Sequence, residues 1–388
     1  MIQYLQTSLF TDTGKEKAIP SFIQTVLADG AALAVSVSGG KDSDAMLRYL
    51  AKAQRVQKWS GHIFALFCDL GRIEWPGVET HLQQVCQEVR LPLVKLYPQR
   101  SMIEEWQHRH DVILSKQEDK PFWSSAAARF CTKHEKTQPS DRLLRGYNFV
   151  VCAVGLRAEE SSARAKKPRY QVRNDIASTW YKNPPTCKSA GEKEFWAEEA
   201  YQRWLDSGRK GRFALSWHPI HYWSLEAVWT CNGTSSADVA RRVALYRSGE
   251  VEQAFIGFPC HWAYATGNSR LSCSLCVLAS SGDIHNGAVH NRWTWAELAL
   301  MEIVGGWGFQ HNRWLISLSQ EMLSPSFAEH DRLRQVLRSL GFVEPLRPAL
   351  LLRLVRSLRP QLLLFWTDEA LRAISQVIQQ WMAHSQTE

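Results

Sequence analysis

The sequence predicts an α/β fold, a three-layer sandwich in which helices cover both faces of a mostly parallel, twisted sheet. Four short apolar runs of strand type lie at residues 31–38, 62–69, 91–97 and 147–156. Helical patterns accompany them at residues 15–29, from Ser43 onward, at 78–90 and at 124–145. Strands that alternate with helices are typical of parallel sheets buried on both faces. Such sheets bind ligands at the carboxyl ends of their strands.

Each element follows from its own residues. The helix over 15–29 has an apolar stripe that includes Phe22 and Val26, and Asp29-Gly30 ends it. The run AALAVSVS at 31–38 predicts the first buried strand, and HIFALFCD, LPLVKLY and YNFVVCAVGL predict the next three. We therefore expect four strands within the first 156 residues.

The composition is that of a globular protein. Of 388 residues, 45% are hydrophobic and 22% are charged, which excludes disordered, collagenous and coiled-coil classes. The formal charge of +8 permits a polyanionic partner such as nucleic acid. We find neither a leader pattern nor a membrane-span pattern and expect a cytoplasmic protein without a membrane partner. Its nine cysteines are then expected to be thiols or metal ligands.

The strongest local signal is Ser38-Gly39-Gly40-Lys41-Asp42-Ser43, between a predicted strand and a predicted helix. Two glycines allow successive N–H groups to point into one concavity, and the helix N-terminus adds partial positive charge. Lys41 supplies a full charge, Ser38 and Ser43 offer hydroxyls, and Asp42 can hold a magnesium ion. Asp follows Gly40-Lys41 where a Walker A loop has Ser or Thr, so this is a different phosphate loop.

The rest of the chain carries weaker signals. Residues 157–212 are rich in charge and in proline, and we expect a basic insertion at about 160–212, either a solvated loop or a mobile lid. The stretch 217–280 is rich in Trp and Cys. Residues 292–388 have helical patterns and an arginine excess. We predict a first domain over 1–290 and a helical extension over 291–388.

The loop resembles the PP-loop of the ATP pyrophosphatases, the adenine nucleotide alpha-hydrolase superfamily. Four further stretches resemble motifs of the phosphoadenosine phosphosulfate reductase family within it, in consistent order over about residues 25–285. They are Asp69-Leu70-Gly71 with Glu79-Thr80 for "DTG…ET", Cys131-Thr132 to Lys136 and Pro139 for "CCxxRKxxPL", Gly155 to Ser161 with Arg164 for "GxRxxES…R", and His218-Pro219-Ile220 with Trp223 to Trp229 for "PL…W…DVW".

This resemblance implies an enzyme that binds ATP at the sheet edge and breaks the bond between the alpha and beta phosphates. An acceptor oxygen would attack the alpha phosphorus and become adenylated. The implied catalytic residues are Lys41 and Asp42. The implied nucleotide contacts are Ser38, Gly39, Gly40, Lys41, Asp42, Ser43, Asp69, Gly71, Gly155 and Arg157.

The cysteines suggest a metal centre. Cys273-Ser274-Leu275-Cys276 is a C-x2-C pair, and Cys260 precedes it by twelve intervening residues. Four cysteines are the usual ligand set of an iron–sulfur cluster or a structural zinc. The family resemblance places a cluster cysteine at Cys131, although the second cysteine of that motif is Thr132 here. The predicted ligands are therefore Cys131, Cys260, Cys273 and Cys276.

Spacing alone leaves the metal open. His261 and His285 could serve zinc, whereas Arg270 and the family context favour a [4Fe–4S] cluster. A cluster held by three cysteines is also possible, and Cys131 would then carry a persulfide or act as a nucleophile.

Two departures from the family separate this chain from sulfonucleotide reductases. Those enzymes attack with a cysteine on a C-terminal tail and tend to have a degenerate PP-loop. Here the last cysteine is Cys276, and SGGKDS is complete. We therefore expect an ATP-dependent sulfurtransferase, similar to the sulfur-inserting enzymes of DNA phosphorothioation. It would use ATP, Mg²⁺, a cluster and a sulfur donor such as a cysteine desulfurase.

The acceptor is predicted to be a nucleic acid, DNA more than RNA, because phosphate neutralisation suits the basic charge. Two alternatives stay open. One is a reductase of adenylyl sulfate or phosphoadenylyl sulfate. The other is a non-catalytic nucleic-acid-binding protein with structural zinc.

Overall fold

The computed structural model describes residues 19–116, 118, 120–178, 185–305, 307–310 and 315. Contacts along the chain divide it into two compact units. Within the described residues, the first unit takes 19–69, 77–96 and 137–266, and the second takes 70–76, 97–136 and the part from 267 onward. The predicted domain division at residue 290 stays a prediction, because residues 316–388 lie outside the described residues.

The first unit holds a sheet of six strands in the order β3-β2-β1-β4-β6-β5 among the described residues. All neighbours are parallel except β5, which runs antiparallel to β6. The strands are β1 Ala32–Val37, β2 Ile63–Cys68, β3 Leu93–Leu96, β4 Phe149–Val154, β5 Tyr170–Val172 and β6 Phe213–Trp217. This confirms the predicted mostly parallel sheet with helices, and β1 to β4 coincide with the four predicted strands.

Helices of the first unit alternate with the strands up to β6, and three further helices follow β6. They are α1 Ser21–Ala28, α2 Lys41–Gln57, α3 Val78–Val89, α6 Gln138–Leu144, α7 Ser162–Ala165, α8 Ala190–Asp206, α9 Leu225–Cys231, α10 Ser236–Arg247 and α11 Val251–Phe255. The predicted helix at 15–29 is seen from Ser21, and residues 15–18 lie outside the described residues. Serine side chains that accept a backbone N–H begin α8, α9 and α10, at Ser189, Ser224 and Ser235.

Side chains of one sheet face form a core with α6. Alternate residues of the central strands, among them Ala34, Phe64 and Cys152, pack with Leu144. Successive strand residues point to opposite faces, so Leu33 and Val35 face the other way, and they too are buried. Burial on both faces explains why these strands are nearly continuous apolar runs.

The prediction that residues 157–212 form a solvated loop or a lid is wrong for the described residues. This stretch contains β5 and the 17-residue helix α8. Trp196, Ala200, Tyr201 and Trp204 lie on one side of α8 and are buried. The charged residues of α8 occupy the other positions, so the apolar stripe is diluted along the sequence but continuous in space.

The second unit is mainly helical where it is described. Its helices are α4 Met102–Ser115, α5 Phe130–Thr132, α12 Ser281–His290 and α13 Arg292–Gly305. Rings of Trp106, Phe122, Trp123 and Phe309 contact one another in its core. The helix predicted at 124–145 starts only at Phe130, and a π-helical turn at Lys133–Thr137 joins α5 to α6. Within the described chain, no helix combines the length and the apolar character that a membrane span requires.

Candidate active site

The phosphate loop joins β1 to α2 at the carboxyl edge of the sheet. Gly39 has φ +70°, in the left-handed region that glycine adopts without strain. In the described part of the chain, the backbone N–H groups of Gly39 and Gly40 donate to no protein acceptor. They precede the N-terminus of α2, which adds partial positive charge. Unpaired donors beside a helix N-terminus are what an anion site requires.

The hydroxyl of Ser43 fastens this loop to itself. Ser43 Oγ donates to the carbonyl of Gly40 at 2.8 Å and accepts the N–H of Ser38 at 3.2 Å. This hydroxyl therefore holds the two ends of the loop together.

Lys41 is enclosed and only 5% exposed. Its Nζ donates to Asp42 Oδ2 at 2.8 Å, and its backbone N–H donates to the Tyr264 hydroxyl at 2.9 Å. The amide of Asn232 donates to the Lys41 carbonyl at 2.8 Å. Tyr264 and Asn232 lie 223 and 191 residues from Lys41, so the sequence alone does not connect them with the loop.

Asp42 is held from two sides. Besides Lys41 it accepts from Arg157 Nε at 2.6 Å, and Arg157 also pairs with Glu159 at 3.2 Å. Burial lowers the pKa of Arg157, but the carboxylates of Asp42 and Glu159 outweigh burial and leave that pKa raised. These two cations and two anions balance one another, so their summed charge is close to zero.

Gly155 lets β4 approach the loop closely. A Cβ built on Gly155 would lie 3.3 Å from the carbonyl carbon and oxygen of Asp42, and 3.4 Å from the nitrogen of Ser43. This distance is tighter than most Cβ contacts, so glycine allows the end of β4 to pack on the first turn of α2. The structure thus brings together the predicted residues 38–43, Gly155 and Arg157.

Asp69 lies at the end of β2 and belongs to a second ion-pair group. Lys95 of β3 bridges it, with Nζ 3.1 Å from Asp69 and 2.6 Å from Glu79. The two acidic residues of the "DTG…ET" resemblance thus share one lysine. The predicted contact Gly71 belongs to the second unit, and its role stays a prediction.

Behind the loop, Asp44 and His81 form a buried pair. Asp44 Oδ2 lies 2.6 Å from His81 Nε2, and the side chain of Asp44 is 2% exposed. Cys260 is buried in the same unit, and burial, then the charge of Asp44, raise the pKa of its thiol. His261 Nδ1 accepts the N–H of Ala263, which leaves Nε2 as the only ring nitrogen able to carry the proton of the neutral imidazole.

The other three predicted ligand cysteines belong to the second unit. Burial raises the pKa of the Cys273 thiol well above its ordinary value, and the charges of Cys276 and Cys131 act in the same direction. The Cys273 thiol therefore lies within electrostatic range of both Cys276 and Cys131. His285, the other possible zinc ligand, lies on α12 of this unit.

Ser274 anchors the C-x2-C segment. Its N–H and its hydroxyl both donate to the carbonyl of Ile73 at 2.9 Å, and Asn291 donates to its hydroxyl at 2.9 Å. A Cβ on Gly287 of α12 would lie 1.8 Å from the Ser274 carbonyl oxygen. The segment therefore packs directly on the backbone of α12.

The donor chemistry of these cysteines fits a soft metal or an iron–sulfur cluster. Over the described ranges, however, no three His, Cys, Asp or Glu side chains are arranged to hold a metal ion. Cys131, Cys260, Cys273 and Cys276 therefore stay predicted ligands. For magnesium, Asp42 fits as one carboxylate partner, because Mg²⁺ is commonly bound by one or two carboxylates together with substrate phosphates.

Comparison with known proteins gives one family. A family model described as the phosphoadenosine phosphosulfate reductase domain matches residues 32–285. No curated protein matches the chain. A solved structure with a distant similarity is the U34-tRNA thiolase NcsA from Methanococcus maripaludis with its [4Fe-4S] cluster. It shares 11% identity over 88% of this chain and 80% of that chain, with a TM-score of 0.34.

Proposed function

Because the chain belongs to the phosphoadenosine phosphosulfate reductase family of PP-loop enzymes, we propose that it is an ATP-dependent sulfurtransferase acting on a nucleic acid. Membership of this family supports a sulfur-transfer or reductase-like role. The observation that carries the use of ATP is the complete loop of residues 38–43, with the free N–H groups of Gly39 and Gly40 at the start of α2.

The loop would bind the beta and gamma phosphates and leave the alpha phosphorus open to attack. An acceptor oxygen forms a bond to that phosphorus, the bond between the alpha and beta phosphates breaks, and pyrophosphate leaves with the electron pair. The amides of Gly39 and Gly40 stabilise charge on the departing group, by about 3–4 kcal/mol for a well-placed donor. Lys41 adds a full positive charge at the same end of α2.

Asp42 is the residue that would hold magnesium with the phosphates. Its carboxylate engages Lys41 and Arg157. We infer that Arg157 keeps Asp42 oriented while Lys41 turns toward the triphosphate. Gly155 allows this arrangement by its close approach to the backbone of Asp42.

In the second half-reaction a sulfide equivalent displaces AMP from the adenylated acceptor. Cys131, Cys273 and Cys276 would hold the proposed [4Fe–4S] cluster, with Cys260 as the fourth predicted ligand. When bound, the cluster supplies an iron site that retains sulfide. Cys131 is only partly buried, which suits the alternative in which it carries a persulfide. A cysteine desulfurase in the cytoplasm would deliver the sulfur as a persulfide, and a thiol reductant would supply the two electrons that release it as sulfide.

Pyrophosphate release from ATP tests this proposal. We would purify the protein anaerobically and compare DNA with RNA acceptors for the wild type, Lys41→Ala and Asp42→Ala. Lys41→Ala should lose about 100-fold or more in rate, the scale expected when a donor to the developing charge is removed. Asp42→Ala should lose activity as well, because it removes the carboxylate proposed to hold magnesium. Lys166→Ala is the matched control, because Lys166 is exposed. Unchanged turnover in both loop variants would contradict the site.

Two measurements separate the alternatives. Stoichiometric zinc without labile sulfide in the anaerobic protein would exclude the cluster. Thioredoxin-dependent release of sulfite from phosphoadenylyl sulfate, with no pyrophosphate release from ATP, would identify a reductase instead.

A further inference from the structure

Two aromatic rings from distant parts of the first unit enclose Lys41. Trp229 comes from α9, and Tyr264 from the short 3-10 turn Trp262–Tyr264. Their centroids are 5.2 Å apart, with the rings nearly perpendicular. Lys41 Nζ lies 5.8 Å from the centroid of Trp229 and 5.6 Å from that of Tyr264. Both distances are within the range of a cation–π attraction.

The same segments fix the backbone of Lys41. The Tyr264 hydroxyl accepts the Lys41 N–H at 2.9 Å, and Asn232, the residue that ends α9, donates to the Lys41 carbonyl at 2.8 Å. The polar groups of this peptide unit are therefore bonded to side chains outside the loop. Because Trp229 and Tyr264 are themselves 4% and 1% exposed, they form a rigid wall.

This wall compensates in part for the hydration that the Lys41 ammonium loses on burial. Lys41 is only 5% exposed, so its ammonium group loses most of its hydration, and one neighbouring carboxylate, Asp42, replaces only part of it. Aromatic faces offer negative electrostatic potential without a formal charge. They can therefore attract the Lys41 ammonium without competing with phosphate as another carboxylate would.

We propose that Trp229 and Tyr264 are positioning residues for Lys41, which hold its ammonium and its backbone ready for the triphosphate. The proposal rests on the proposed function, since it assumes that ATP binds at residues 38–43. Trp229 acts through its ring alone. Tyr264 acts through its ring and, separately, through its hydroxyl on the Lys41 N–H.

The two roles of Tyr264 can be separated by substitution. Tyr264→Phe keeps the ring beside Nζ and removes only the acceptor for the Lys41 N–H. One lost hydrogen bond corresponds to roughly 2- to 13-fold in affinity. Trp229→Phe keeps a weaker aromatic face, and Trp229→Leu removes it. Cation–π attraction decreases in that order, so ATP affinity should fall stepwise, by about 5- to 30-fold for the leucine variant.

A double-mutant cycle provides the decisive experiment. ATP dissociation constants are measured by calorimetry for Trp229→Phe and Trp229→Leu, each in the wild-type and in the Lys41→Ala background. If Trp229 acts through Lys41, the stepwise loss disappears when Lys41 is alanine. A merely structural role would give the same loss in both backgrounds, and this additive result would overturn the proposal. The ratio of kcat to KM for pyrophosphate release should follow the binding data.

Controls keep the outcomes distinct. Phe195→Leu removes an aromatic ring that is 64% exposed on α8 of the same unit, and should leave ATP affinity unchanged. If Trp229→Leu fails to fold by circular dichroism, Trp229→Phe and Tyr264→Phe still decide the question. Normal ATP binding by both of these variants would overturn this inference alone. Failure of the wild type to bind ATP would overturn the proposed function, and this inference with it.

Discussion

Glu135 makes the stability of this protein depend on pH in a calculable way. It lies in the π-helical turn at Lys133–Thr137, is 1% exposed, and its Oε2 has no hydrogen-bond partner in the described part of the chain. Burial, and then the carboxylates of Glu105 and Glu104, raise the pKa of Glu135 from 4.5 to about 7. The folded chain therefore binds this proton more tightly than the unfolded chain.

The sign and size follow from linkage. Below pH 4.5 the group is protonated in both states and has no effect. Between about pH 4.5 and pH 7 the unfolded chain ionises while the folded chain keeps the proton, so stability falls, and above pH 7 both states are ionised and the loss levels off. With one pKa unit worth 1.36 kcal/mol, the loss is about 3 kcal/mol at pH 8 and under about 1 kcal/mol at pH 5, both upper limits because solvent screens the charge.

Glu135→Gln should therefore stabilise the protein at pH 8 and change little at pH 5. Thermal unfolding at the two pH values measures the effect, and a gain of about 4 °C or more is expected at pH 8, since roughly 2 °C corresponds to 1 kcal/mol in a large chain. Glu192→Gln is the matched control. Glu192 is exposed and accepts the N–H of Lys188 at 2.6 Å, a bond that lowers its pKa, so its replacement should not stabilise the protein at pH 8. An equal gain at both pH values for Glu135→Gln would refute the reasoning.

Three further outcomes are expected. Gly155→Ala should weaken ATP binding because its Cβ presses on the first turn of α2, whereas Gly191→Ala, with open space around its Cβ, should bind ATP normally. Gly287→Ala should displace the C-x2-C segment and so lower the metal and sulfide content of the anaerobic protein, measured by elemental analysis. Gly282→Ala on the same helix has open space around its Cβ and should leave this content unchanged. ATP affinity, measured by calorimetry, should drop sharply in EDTA. The charges of the loop balance one another and leave the triphosphate without a net counter-charge when magnesium is removed. Equal affinity with and without magnesium would contradict this.

Three of the four strands that the sequence predicted are buried along most of their length. β1, β2 and β4 are nearly continuous apolar runs because most of their positions are buried, whereas β3 is only half-buried. β6 is equally buried, but it has only five residues and directly follows a run of charged residues. Its short apolar run was therefore not recognised as a strand. β5 has three residues and is recognisable only from its partner β6.

The helix α8 was missed for a different reason. Its buried residues Trp196, Ala200 and Trp204 are spaced by four, which is the spacing of one helix face. Charged residues between them gave the segment the average composition of a solvated loop. Periodicity was the informative property here, and composition concealed it.

The phosphate loop was recognisable because its chemistry is local. Two glycines, a lysine and hydroxyls within six residues suffice to predict an anion site, and in the structure these residues form one loop. The partners of Lys41 could not be found in the same way. Trp229 and Tyr264 reach it only through the fold, and nothing in their own neighbourhoods indicates a phosphate site.

The cysteines show how anchoring and metal binding can be separated. Burial raises the pKa of the Cys260 and Cys273 thiols, so both are neutral when no metal replaces their protons. Neutral thiols are poor anchors because they are weak hydrogen-bond donors. Ser274 instead fixes the C-x2-C segment, through its bonds to Ile73 and Asn291. The chain can therefore hold two of its predicted ligands in place before any metal arrives, and deprotonation of the thiols then depends on the charge of the metal.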